Sequence, residues 1–221
     1  MRSSEVSPKR VRVYAGGQLV ADSRAPVLVW EIPYYPTYYL PIADVHARLE
    51  PAADDTYDVV TDAVTVPGAA RLMDDLVRLE FSAMDEWLEE DEPIYVHPRD
   101  PYKRVDILAS SRHVEVRIDG QVVASSTQPR ILFETGLPPR YYLPLSDVRM
   151  DLLQPSNKKS SCPYKGTASY WHVGDHEDIV WIYRTPLPES QKISGLACFY
   201  NEKVELYVDG ELQERPNTPF R

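Results

Sequence analysis

The residues best suited to chemistry crowd into the C-terminal half of the chain. Cys162 opens the run Cys162-Pro163-Tyr164-Lys165-Gly166. A thiol near an ammonium ionises more readily, which makes Cys162 the candidate nucleophile, with an inert buried thiol as the competing reading. Lys165, a long cation on a turn before Gly166, suits a carboxylate or phosphate group of a ligand. Glu134 and Asp147 add hydrogen-bonding acids, or else cap turns and pair with arginine. Tyr142, Tyr170, Trp171 and Trp181 are of the type that walls a pocket, and a plain aromatic core would use the same residues. Taken together they point to a small polar or anionic molecule bound in the second half. The rivals are a cysteine-dependent enzyme and a protein that docks a partner through a helix. His97 with Asp100 and His113 with Asp106 lack ligand spacing, and Cys162 and Cys198 stand 36 residues apart with no Cys-x-x-Cys pair. No metal or other cofactor is therefore expected.

What must position these side chains is a repeat. Val11 to Leu49 aligns without a gap on Val114 to Leu152 at an offset of 103, and about 17 of the 39 positions are identical. Each copy opens with an alternating strand that runs into a turn at Gly16-Gly17 or Asp119-Gly120, and a second apolar run follows, which reads as a β-hairpin. A third strand ends in an acid, Glu31 or Glu134, and a proline-broken loop leads to Tyr38-Tyr39-Leu40-Pro41 or Tyr141-Tyr142-Leu143-Pro144. A partial third echo, Val204 to Gly210, resembles Val114 to Gly120. The expected organisation is two tandem modules, 1–112 and 113–221, both rich in short antiparallel strands.

Between its repeated parts the first module carries Leu72, Leu76, Leu79, Ala83 and Trp87, at spacings of four, three, four and four. With Pro67 ahead of them, they predict an inserted amphipathic helix over 68–90 whose outer face and tail are acidic. The second module has short runs heavy in β-branched and aromatic residues there instead, and reads as nearly all β.

The whole chain has 221 residues, 34 acidic against 24 basic, a net charge of -10 and 43% hydrophobic residues, enough for a core without disulfide staples. No apolar run approaches the roughly 18 residues of a membrane span, and the first residues lack an apolar signal core. The acidic excess opposes binding to a phosphate backbone. The expectation is a cytoplasmic protein with a small-molecule ligand and with neither nucleic acid nor membrane as partner.

Glu134, Tyr141-Tyr142-Leu143-Pro144, Asp147-Val148, Cys162 to Gly166, Tyr170-Trp171, Trp181-Ile182-Tyr183 and Ile193-Ser194-Gly195 form a string that resembles the family called domain of unknown function 427. The resemblance spans the second module, and the first looks like a diverged copy. His97 to Asp106 resembles the connector of two-copy members. The resemblance implies a small tent-like β fold, and many proteins of that fold pin their sheets with a four-cysteine zinc site, which this chain lacks the cysteines to build. The family also carries a nucleotidyltransferase label. That chemistry needs a glycine-rich phosphate turn and paired carboxylates for divalent metal. Gly16-Gly17 occurs in one copy only, no Asp-x-Asp follows it, and its counterpart Asp119-Gly120 reads as a hairpin turn.

Overall fold

In a computed structural model, residues 3–218 are described, and they form two units, 1–100 and 101–221. The first unit holds β1 (Ser4–Val6), β2 (Val11–Ala15), β3 (Gln18–Ser23), β4 (Val27–Val29), β5 (Thr37–Pro41), β6 (Arg48–Pro51), β7 (Tyr57–Val60), β8 (Thr65–Met73), β9 (Leu76–Leu79), β10 (Glu86–Glu89) and β11 (Glu92–Ile94). The second holds β12 (Val105–Ala109), β13 (Val114–Ile118), β14 (Gln121–Ser126), β15 (Arg130–Glu134), β16 (Arg140–Leu143), β17 (Leu153–Cys162), β18 (Gly166–Val173), β19 (His176–Ile182), β20 (Ala197–Phe199), β21 (Glu205–Val208) and β22 (Glu211–Leu212).

Each unit has a seven-stranded and a four-stranded antiparallel sheet, and the strand orders match one for one. The large sheets run β1-β4-β5-β9-β8-β7-β6 and β12-β15-β16-β20-β19-β18-β17, and the small ones β11-β10-β2-β3 and β22-β21-β13-β14. The repeated hairpins form as their turn residues require. Gly16 and Gly17 have φ of 60° and 71°, Asp119 and Gly120 of 51° and 76°, and Asp209 and Gly210 of 54° and 85°. Paired positive φ values suit the twist of a two-residue hairpin, and Gly and Asp tolerate them best.

The helix expected over 68–90 does not form. Thr65–Met73 and Leu76–Leu79 are paired strands joined at Asp74, whose φ is 54°, and they are followed by a 3₁₀ turn at Phe81–Ala83 and by Glu86–Glu89 in the small sheet. The reason lies in the arithmetic of the spacing: residues four apart share a face in a strand as well as in a helix. Only the step of three separates the two, and there Leu76 is partly exposed while Val77 and Leu79 are buried, which is strand alternation. The first module thus has no insertion, and β6 to β9 occupy the sheet positions of β17 to β20. The units meet between Asp100 and Pro101, ahead of the expected boundary near Arg112, because β12 pairs with β15 just as β1 pairs with β4.

The main core of each unit lies between its two sheets. In the second, Val114, Val116, Val123 and Leu206 face Leu143, Trp171, Val180 and Phe199. Alternation sends the neighbouring residues to the outer face of the large sheet, where Tyr142, Tyr170, Trp181, Tyr183 and Cys198 form a second buried cluster. That outer cluster includes Ile193, from a 3₁₀ segment at Pro188–Ile193. In the first unit the matching face carries charged residues instead. Cross-strand register places Tyr39, Arg78 and Arg71 where the second has Tyr142, Cys198 and Trp181. There a shallow groove of about 530 Å³ also takes in Glu31 and Glu80.

Candidate functional site

The outer face of the second module gathers most of the residues that the sequence singles out. Cys162 ends β17, half-buried, and pairs across the hairpin with Gly166. Gly166 has φ of 94°, a backbone conformation that favours glycine. The turn is clamped by Leu187 N–H donating to the Lys165 carbonyl at 3.1 Å. From this turn the Lys165 ammonium reaches Glu134 Oε2 at 2.5 Å, at the end of β15, with side-chain exposures of only 11% and 10%.

The surroundings are aromatic and hydroxyl-bearing. The Tyr170 hydroxyl lies 2.7 Å from Ser160 Oγ, and the Lys158 ammonium lies 4.9 Å from the centre of the Tyr170 ring. Burial pushes the Tyr183 hydroxyl well above the usual phenol range, and Cys162, Tyr170 and Glu134 act in the same direction. Tyr183 therefore stays a neutral donor. Trp181 Nε1–H donates to the Tyr142 hydroxyl at 3.1 Å, and Tyr142 is raised by its burial. Cys198, fully buried, has its thiol pushed up to about 12 and is no nucleophile at neutral pH.

Two expected members stand elsewhere. Trp171 points to the opposite face of the sheet from Tyr170 and Trp181 and belongs to the core between the sheets, with Arg184 5.6 Å above its ring. Asp147 sits in a 3₁₀ turn at Leu145–Asp147 and accepts a hydrogen bond from Ser126 Oγ at 2.6 Å, tying the turn to β14. Sequence reasoning passed over Arg140 and Glu202. Two bonds of 2.7 Å join them, with exposures of 9% and 0%, and the guanidinium lies 5.6 Å from the Trp181 ring. Burial alone would raise the Glu202 carboxyl, but hydrogen bonds from Arg140 and Thr218 outweigh it and hold the group below its usual range. Adjacency of Arg140 to the double tyrosine was the only signal available, since its partner lies 62 residues on.

The repeated glutamate binds a cation in both modules, although different elements supply it. Glu31 accepts from Arg78 of β9 at 3.2 Å and from the Tyr39 hydroxyl at 2.6 Å. Glu134 takes Lys165 from a turn. Among the described residues, no three His, Cys, Asp or Glu side chains converge as a metal site would need, and no helix is long and apolar enough to cross a membrane.

No curated protein matches the chain. Comparison with known families gives a match over residues 3–61 and 106–210, segments that open at the lead strands β1 and β12 and include the repeated hairpin of each module. With the same strand order built twice and the family pattern found in both halves, the chain belongs to the family described as domain of unknown function DUF427.

Proposed function

We propose that this is a cytoplasmic protein that binds a small polar molecule on the outer face of its second module, at the Glu134–Lys165 pair beside Cys162 and Tyr170. The observation that carries this reading is the ion pair itself, about nine-tenths buried at a strand end. Removing two charges from water costs several kcal/mol per ion, by order of magnitude, and apolar residues would close the same corner without it. A few polar groups converging on an aromatic-lined corner are the pattern of a small-molecule site. One ammonium N–H of Lys165 donates to Glu134, so an anion that took the remaining N–H groups would meet the carboxylate beside it. A molecule offering both a donor and an acceptor meets the pair without separating it. Tyr170, Ser160 and Tyr183 add hydroxyls near the same corner.

The test replaces both charges together, Lys165→Met with Glu134→Leu, which leaves no unpaired ion. The double variant is expected to fold with a similar melting midpoint and to lose whatever small molecule native mass spectrometry finds on the parent protein. Retention of that molecule by a folded double variant rejects the site. Catalysis by Cys162 is a second reading, favoured by its half-burial against full burial of Cys198. It requires that iodoacetamide label Cys162 faster at neutral pH than it labels an unfolded control.

A further inference from the structure

We propose that the first module binds a compact organic cation, a methylated ammonium group, in a cavity of about 100 Å³ walled by Tyr35, Tyr38, Phe81, Trp87 and His97. The volume sets the class of ligand: drug-sized and nucleotide-sized sites run to roughly 300–1,000 Å³, so only a head group of a few heavy atoms fits. The rings are held in place. Phe81 and Trp87 stack at 4.9 Å and 8°, and Trp87 Nε1–H donates to the Phe81 carbonyl at 3.2 Å. Tyr38 lies nearly parallel to Trp87, with centres 6.5 Å apart, and Tyr35 stacks on His97 at 4.0 Å. Aromatic faces carry negative potential, and a cage of them is the usual receptor for a quaternary ammonium.

Charge favours the same sign of ligand. Glu80 and Arg78 also line the cavity, but the guanidinium is bonded to Glu80 at 2.9 Å and to Glu31 at 3.2 Å, which cancels its field. Residues 1–100 contain 19 acidic and 9 basic residues, and residues 101–221 contain 15 of each, so the whole net charge of -10 belongs to the first unit. An open groove of about 500 Å³ adjoins the cavity, sharing Phe81, Trp87 and Val96, and adds Met84, Asp85 and Glu86 for the stem of the ligand. Burial lowers the His97 imidazole below its ordinary range, so the ring is neutral at pH 7 and offers a π face rather than a charge.

The loop that supplies His97 is strained. Val96 has φ of 73°, and His97 N–H donates to the Tyr95 carbonyl at 2.9 Å across it, a γ-turn of the rare hand. A β-branched residue there is a true outlier, and strain of this kind collects at ligand clamps. Its effect is to lay His97 against Tyr35.

The experiment titrates the full chain with choline and with its neutral isostere 3,3-dimethylbutan-1-ol, by calorimetry and by the four tryptophan indole N–H resonances. Choline is expected to bind at least about tenfold tighter than the alcohol and to shift the Trp87 resonance. Tyr35→Leu and Phe81→Leu should each weaken it by about five- to tenfold while the far-ultraviolet spectrum is kept. Should Phe81→Leu fail to fold, Tyr35→Leu, at a half-buried loop position, decides alone. Equal binding of the alcohol, a response confined to Trp171 and Trp181, or no response at about 10 mM choline overturns the proposal.

Discussion

Glu134 cannot be separated from the cation that holds it, and that governs what a single substitution will do. Lys165→Met leaves a nearly buried carboxylate without its partner and is expected to cost about 3–5 kcal/mol in urea unfolding, whereas the paired change with Glu134→Leu costs little. If the single and double variants prove equally stable, the pair contributes nothing to the fold. Glu202 permits a sharper test through pH. Its carboxyl is depressed in the folded protein, so the stability it contributes is present above the unfolded value of roughly 4.3 and is lost as pH falls through the lower folded value. Glu202→Gln should therefore be less stable than the parent by about 3 kcal/mol at pH 7, and the gap should narrow steadily as pH falls below the unfolded value of roughly 4.3. A gap independent of pH refutes this. The repeated glutamates were legible in the sequence, because Glu31 and Glu134 stand at the same repeat position. Their partners were not. Arg78 reaches Glu31 by way of strand register, and Lys165 reaches Glu134 by way of the turn at Gly166, and neither adjacency is encoded by spacing along the chain.

Hairpins with two-residue turns were readable wherever the turn chemistry was strong. Gly16-Gly17 and Asp119-Gly120 end their strands where the structure ends them, and the echo at Asp209-Gly210 makes a hairpin of the same kind. The failure over 68–90 came from a pattern that serves two periods at once, and Asp74, an ordinary acid without a following glycine, did not announce its turn. Trp171 was misplaced for a related reason: two adjacent aromatic residues of one strand must face opposite ways, so Tyr170 and Trp171 could not share a site. At this scale the exposed Val96 is the most informative residue. Glycine in its place releases strain of about 1–3 kcal/mol against a backbone entropy cost of roughly 0.5–1 kcal/mol. Val96→Gly is thus expected to raise the unfolding free energy by about 1 kcal/mol and to weaken choline binding. A clear loss of stability on urea unfolding would show that the γ-turn is unstrained.

Each unit of the molecule has its own core between its own two sheets, and each begins one strand earlier than the segment that repeats in sequence. β1 and β12 lie outside the aligned stretch, yet they cover the edges of β4 and β15. A fragment starting at Pro101 keeps β12 in register with β15 through five residues, from Val105 opposite Glu134 to Ala109 opposite Arg130. One starting at His113 bares that edge, including Phe133, already 42% exposed. The first fragment is expected to run as a monomer on size-exclusion chromatography and the second to self-associate, since an uncovered apolar edge strand templates pairing with another chain. Identical elution of both would show that the lead strand is dispensable. In the language of inheritance, the heritable unit is longer than the visible repeat. A duplication that started at the hairpin would leave the second copy with a bare edge, and one that carried its own leading strand would not.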